Sequence, residues 1–445
     1  MSKFQLTSIA LTAVGVMGIF FVDLAKSAEI NADPKAEKKE PEKSERPQAL
    51  TLEKSLVPYT GPMKKGVDPQ GIEKKIMCGY QGWFMAREDG YGMGNVHWGG
   101  VEQTPPKCTV DFWPDLTEYD ADEKFPTNFR HTDGSTAYVF SSTMDKTVQR
   151  HFQWMEQYGI DGVFLQRFTV YVKNQKSKDY QRACAVLHHV REAANRHGRT
   201  YAVMYDTDFD RPAVDAIKAD WSRLMKEMTL TSDPAYLQQR GGPIVSLWGY
   251  GFDHRKFDAA ASEELFEFFK AQENGGCSIM LGVPNDWVTW KDERMRLLKK
   301  YATIISPWNV GRYNNAASLK RHVDAHWPAD LKFCQEQKCD YYPVAFPGFS
   351  WTNLQQGRSL LNQIPRQKGE FFWQQIEQIK SHDMSCAYIA MFDEVDEGTA
   401  IFKCTNDPPV GKFGTYEGLP SDYYLKAAGN AGRYLRGEKV GLPEK

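Results

Sequence analysis

Short apolar runs alternate with segments of helical period along most of the chain. The runs lie at residues 75–84, 162–168, 200–206, 243–250, 277–284, 303–308, 342–348 and 387–392. Between them, apolar positions recur at helical spacing over 145–158, 178–197, 212–228, 261–273, 291–301, 316–337 and 370–382, with a last such segment at 421–436. Asp145 is placed to cap the first helix, Gly159 and Gly198 to end the first two, and Pro328 to break the long one. The runs are apolar almost throughout rather than alternating, which is the pattern of parallel strands covered on both faces. Eight strand–helix units predict an α/β fold, a (β/α)8 TIM barrel over residues 59–440 with a long insertion after strand 1. An open doubly wound sheet is the other arrangement of such units. Against it, no GxGxxG or GxxxxGK[ST] turn follows any run.

In a barrel of this kind the site lies at the C-terminal ends of the strands. Those ends carry Tyr80, Gln81 and Trp83 on the first; Gln166 and Arg167 on the second; Tyr205 and Asp206 on the third; and Trp248 on the fourth. Trp287 follows the fifth, Trp308 the sixth and Trp351 the seventh. The eighth runs directly into Asp393, Glu394 and Glu397. Aromatic platforms, amides, one arginine and several acids favour a neutral polyhydroxylated ligand over a phosphate. Two carboxylates suffice to cleave a glycosidic bond, one protonating the departing oxygen and the other acting as base or nucleophile. Glu394 and Glu397, three residues apart on one strand end, fit best if one serves the leaving group and the other a neighbouring hydroxyl. Asp393 is a candidate to orient a carboxylate or bind a hydroxyl.

Composition narrows the ligand further. Net charge is −2, so nothing points to nucleic acid or to an anionic membrane surface. The 12 Trp, 21 Tyr and 25 Phe are a high aromatic load; core packing takes most aromatics in any protein, and sugar-binding clefts also use them because flat rings stack on sugar faces. No CxxC or ligand-spaced Cys/His cluster is present, so neither a metal nor a cofactor is expected. Lys3, the apolar stretch 6–22 and Ala25-Lys26-Ser27 read as a signal peptide over 1–28, and export as the destination, periplasmic or secreted, with an uncleaved anchor as the alternative. Residues 29–58 are charged and poor in aromatics and read as a disordered tether. No stable membrane partner is expected. Cys78, Cys277 and Cys386 lie in or beside apolar runs and read as buried thiols; local pairing of Cys334 with Cys339 stays open.

The segment Phe392-Asp393-Glu394-Val395-Asp396-Glu397-Gly398-Thr399 resembles the Phe-Asn-Glu-Trp-x-Glu-Gly-Thr segment of glycoside hydrolase family 99, the endo-α-mannosidases and mannanases. It is also similar to the wider 71/99-like group of exported bacterial proteins labelled xylosidase/arabinosidase. Gly79-Tyr80-Gln81-Gly82-Trp83-Phe84, Ser306-Pro307-Trp308-Asn309-Val310-Gly311-Arg312 and Phe346-Pro347-Gly348-Phe349-Ser350-Trp351 resemble the same group. The resemblance implies a polysaccharide or oligosaccharide substrate. It implies that Glu394 takes the proton of the sugar 2-hydroxyl, giving a 1,2-anhydro sugar, while Glu397 protonates the leaving group and later activates water. Asp393, Val395 and Asp396 depart from the motif. A carbohydrate-binding barrel without activity is the reading from another class. A lyase is a third, but it calls for a basic cleft, and only Arg167 and Arg312 are candidates for one.

Overall fold

The structure, a computed structural model, describes residues 47–445. The expected signal peptide and residues 29–46 of the expected tether lie outside them. Residues 47–58 differ from the expected tether. They carry a helical turn at Leu52–Ser55, bury Ser55 and Leu56, and pack Ala49 and Leu50 against Met85, Tyr91 and Ala185. The leucines at 50, 52 and 56 give this stretch apolar surface that the charged run before it lacks.

Eight parallel strands form a closed ring: β1 (Ile76–Tyr80), β2 (Gly162–Phe168), β3 (Thr200–Asp206), β4 (Gly242–Trp248), β5 (Ser278–Val283), β6 (Ala302–Pro307), β7 in two pieces (Asp340–Tyr341 and Val344–Ala345) and β8 (Ala387–Ile389). Consecutive strands pair in order, and β1 also pairs with β8, Ile76 opposite Ala387 and Cys78 opposite Ile389. Pairing of first with last strand excludes the open sheet. The ring closes through β7, whose first piece bonds to β6 and second piece to β8. The change of partner occurs at Pro343, which has no N–H to donate; its carbonyl accepts from Tyr388 N at 2.9 Å. Strand 7 therefore starts two residues earlier than its apolar run indicates.

The outer helices are α1 (Asp145–Tyr158), α2 (Lys178–His197), α3 (Arg211–Arg223), α4 (Ala259–Lys270), α5 (Glu293–Tyr301), α6 (Ala316–Gln337), α7 (Glu370–Ser381) and α8 (Tyr423–Leu435). Gly159 and Gly198 end α1 and α2 with φ of 79° and 58°, the left-handed cap that glycine adopts without strain. Two expectations fail locally. Asp145 is the first helical residue of α1 and Met144 holds the cap position. The α6 helix runs through Pro328 unbroken, because Val323, Trp327, Asp330 and Cys334 bury one face on both sides of it. All eight cysteines are thiols.

The insertion after β1 carries a two-stranded hairpin, Phe125–Arg130 with Thr136–Val139. Phe125, Thr127 and Phe129 face inward on the first strand, the residues between them outward, as expected for a sheet wet on one side.

Between barrel and helices lies a buried ion pair. Arg167 donates to Asp220 of α3 at 2.9 and 2.6 Å, and Tyr205 donates to the same carboxylate at 2.7 Å. Asp220→Ala leaves a buried guanidinium and a phenol unpaired. It is expected to destabilise the protein by about 3–5 kcal/mol in chemical denaturation, whereas a loss below about 1 kcal/mol contradicts the pair's structural role.

Candidate active site

Strand β8 ends at Ile389, and its apolar run continues through buried Ala390, Met391 and Phe392 beside β1, Phe392 N donating to Gly79 O at 2.8 Å. Gly79 is small for a reason: a Cβ there would come within 2.1 Å of the Tyr388 hydroxyl and 2.3 Å of Met391 Sδ. Asp393 comes next and is fully buried. Its two oxygens accept the backbone amides of Gln81 (2.7 Å) and Gly82 (2.9 Å). Burial pushes this carboxyl up to about 6, and the two amides oppose the shift. With both oxygens engaged, Asp393 clamps the β8 loop to the end of β1, which fits the first of its two expected roles, orienting a carboxylate, better than binding a hydroxyl.

Glu394 sits on the clamped loop. Its Oε2 accepts from Gln81 Nε2 at 2.8 Å, and its Oε1 from the backbone amides of Asp396 (2.8 Å) and Glu397 (3.3 Å). Burial first, then the charges of Asp396, Glu397 and Asp393, raise its proton affinity. Glu397, two positions beyond buried Val395, is half-buried, and its carboxylate has no hydrogen-bond partner among the described residues. Burial and the neighbouring Asp396 carboxylate raise it to about 7. Like charges this close disfavour one another's ionisation, which raises the proton affinity of Glu394 and Glu397 together. The donors around Glu394 face a carboxylate, whereas the Glu397 carboxyl is free to give its proton to a ligand.

The loop is held from behind. Ser350 N donates to Glu397 O at 2.8 Å. Ser350 Oγ in turn donates to Asp111 of the insertion at 2.5 Å, and Thr352 N and Asn353 N donate to the same carboxylate at 2.7 Å each. Arg366 donates to the carbonyls of Gly398 (2.9 Å) and Ala400 (2.7 Å).

At the C-terminal strand ends two groups of side chains touch one another. Trp83 stacks on Phe168 at 5.0 Å. Gln166 Nε2 donates to Tyr388 OH at 3.3 Å, and Tyr388 meets Trp308 edge-on at 6.0 Å. Trp308 meets Trp248 at 5.6 Å, and the guanidinium of Arg255 lies 5.2 Å over Trp248 and bonds Asp206 at 2.5 Å. Gly282 gives the Trp248 indole its place, since a Cβ there would approach Trp248 Cδ1 to 2.7 Å. The indole N–H groups of Trp83, Trp248 and Trp308 and Gln81 Oε1 are buried without a protein partner among the described residues. Asp206 is pushed up to about 6 by burial, against the charge of Arg255.

Four expected rim residues lie elsewhere. Arg167 and Tyr205 point outward to Asp220, as described. Tyr80 is buried behind the strand with its hydroxyl 2.8 Å from His151 Nδ1, and the Tyr119 hydroxyl lies 2.8 Å from Nε2, so the ring accepts from one phenol and donates to the other. His151 is pushed down to about 3 by burial and is neutral between its two phenols. Trp287 is fully buried against Phe333 of α6 at 4.9 Å. For Tyr80, Arg167 and Tyr205 the neighbouring residue along the chain, Gln81, Gln166 or Asp206, takes the other direction, as the period of a strand requires, whereas Trp287 lies in a short 3-10 turn beyond the end of β5. Trp351 lies on the β7 loop, partly exposed, its indole donating to Gln363 at 2.9 Å.

The sequence reading passed over His97, Arg255 and Tyr388. His97 comes from the insertion, and the only signal near it is the Trp98-Gly99-Gly100 stretch. Its ring lies 3.8 Å from that of Trp83 at 7°, and its Nδ1 is 2.9 Å from Asp396. Among the described residues no group of three His, Cys, Asp or Glu side chains could hold a metal ion.

No family model matches the sequence, and no curated protein matches it. The fold has solved counterparts. The GH99 endo-alpha-mannosidase from Bacteroides thetaiotaomicron superposes with a TM-score of 0.60 at 14% identity over 82% of this chain and 98% of that one. Its complex with bis-tris-propane gives 0.59 at the same identity and coverage. A structure described as a glycoside hydrolase-like protein gives 0.50 at 11% identity over 86% and 99%. At these identities the likeness is one of fold, and it supports the barrel described above.

Proposed function

We propose that the protein is a glycoside hydrolase acting on a polysaccharide or oligosaccharide, with Glu394 and Glu397 as its catalytic pair. One observation carries the reading: two acids on one strand end sit in opposite environments, Glu394 facing three donors and Glu397 open and unpartnered. The fold likeness to an endo-α-mannosidase supports it. In the proposed reaction Glu394 accepts the proton of the 2-hydroxyl as that oxygen attacks C1. Glu397 gives its proton to the departing oxygen, leaving a 1,2-anhydro sugar. Water, deprotonated by Glu397, then opens the ring at C1, and Glu394 returns its proton to O2, so the anomeric configuration is retained. Trp83, Trp248 and Trp308 would supply stacking faces and indole donors for the sugar, and Gln166 an amide. The resemblance offers endo-α-mannosidase-like or xylosidase/arabinosidase-like action as the specificity. The signal-like pattern at the N-terminus supports action outside the cytoplasm as part of the same proposal.

The pH profile tests the assignment. A general acid works only while protonated, and Glu397 is raised to about 7. The protonated fraction is full well below that pH and falls above it. The kcat/KM for an unactivated substrate is therefore expected to decline above pH ~7, approaching about tenfold per pH unit. A profile flat to pH ~9 removes Glu397 as the acid.

A further inference from the structure

Asp396 adds a carboxylate between the two glutamates, and nothing on its own loop answers that charge. The loop brings Asp393, Glu394 and Glu397, all acids. From the insertion come Cys108 and Asp111. Burial pushes the Cys108 thiol up to about 12, so it stays neutral, and Asp111 spends its oxygens on Ser350, Thr352 and Asn353. Of the cations on the neighbouring β7–α7 segment, Arg366 donates to the carbonyls of Gly398 and Ala400 and Arg358 to that of Gln355, and none of Arg358, Arg366 and Lys368 bonds Asp396. His97 is the one side chain among the described residues that bonds Asp396, at 2.9 Å. The two side chains are 8% and 4% exposed, and Asp396 Oδ1 is buried with no partner at all among the described residues. The imidazole is fixed for this task. It lies flat on Trp83, and its backbone has φ of 62°, a left-handed conformation uncommon for a residue with a side chain. The Thr109 hydroxyl donates to its carbonyl at 2.6 Å.

We infer that His97 is a positioning residue: its Nδ1–H holds Asp396 as a carboxylate, and that charge beside Glu397 keeps the Glu397 proton in place at neutral pH. Without the donor, a carboxylate as buried as Asp396 takes up a proton rather than stand charged and unpaired. The like charge next to Glu397 then disappears, and Glu397 releases its proton at lower pH. The insertion thus sets the working pH of the β8 loop through a residue that does not touch the sugar. The inference rests on Glu397 being the acid only for its effect on rate; the effect on Glu397's proton does not depend on any activity.

The test follows the Glu397 carboxyl by 13C NMR across pH in the full chain, assigned by its absence in Glu397→Gln, and in parallel the alkaline limb of kcat/KM. Asp396→Asn and His97→Phe are each expected to move both midpoints down by about one pH unit, and the double variant no further. The phenyl ring of His97→Phe keeps the stack on Trp83 and removes only the donor. His97→Gln, which restores an N–H, is expected to recover most of the shift. A merely structural role for His97 predicts an unmoved midpoint in His97→Phe, and that result overturns the inference. If His97→Phe does not fold, Asp396→Asn decides alone: an unchanged Glu397 midpoint there is equally fatal. A carboxyl that shifts as expected in a protein without measurable hydrolysis upholds the coupling and removes the glycosidase reading instead.

Discussion

Glu397→Gln is expected to lower the rate on glycosides with poor leaving groups by about 10³-fold, the range that loss of a positioned general acid produces. A sugar alkoxide leaving without a proton is strongly disfavoured. A dinitrophenolate departs readily unaided, so release of an activated aryl group in a single turnover is expected to fall less than about tenfold. The substitution is close in shape and removes no hydrogen bond, because the Glu397 carboxylate has no protein partner among the described residues. The backbone contacts that hold this position, Ser350 N on Glu397 O and Glu397 N on Glu394 Oε1, are untouched. The same loss on both kinds of substrate would mean that Glu397 acts on something other than the departing oxygen.

Glu394→Gln is expected to stop hydrolysis on every leaving group, by about 10³-fold or more in kcat, while KM and ligand affinity change little. An amide cannot take the 2-hydroxyl proton. The pocket tolerates the exchange: the new carbonyl oxygen can accept the amides of Asp396 and Glu397, and the new NH2 can meet Gln81, whose Oε1 is now unpartnered. Activated substrates discriminate between the two glutamates, since a better leaving group does not replace a missing base. A near-normal rate in this variant, or a loss confined to KM, removes Glu394 from the chemistry. Both substitutions also lower the number of charges in the loop, so stability measured alongside activity is expected to hold or rise.

Much of this arrangement was legible in the residues. Eight apolar runs set the ring, and Gly159 and Gly198 set the ends of α1 and α2 because only a left-handed residue stops those helices so sharply. The placement of Glu394 and Glu397 followed from the apolar run that delivers them. What could not be read was direction at the strand ends. Where both faces of a strand are apolar, the alternation that separates inside from outside leaves no polar mark. Gln166 and Arg167 therefore looked equivalent, yet one lines the mouth and the other pairs with Asp220. Tyr205 and Asp206 divide the same way. For Asp393 the residues left two roles open, orienting a carboxylate or binding a hydroxyl; its partners are two backbone amides more than 300 residues away in sequence, which no local pattern announces. His97 and Arg255 belong to loops, where no period exists to place a side chain, and only the folded chain brings them to the acids and to Asp206.

The most direct test of the central claim is product analysis. The protein and its Glu394→Gln/Glu397→Gln double variant are incubated at pH ~6 with a panel of α- and β-linked oligosaccharides, and new reducing ends are counted alongside bound ligand. The account predicts hydrolysis of one linkage class by the parent protein and binding without hydrolysis by the double variant. Binding of a panel glycan with no hydrolysis by the parent, or equal hydrolysis by both proteins, would contradict it.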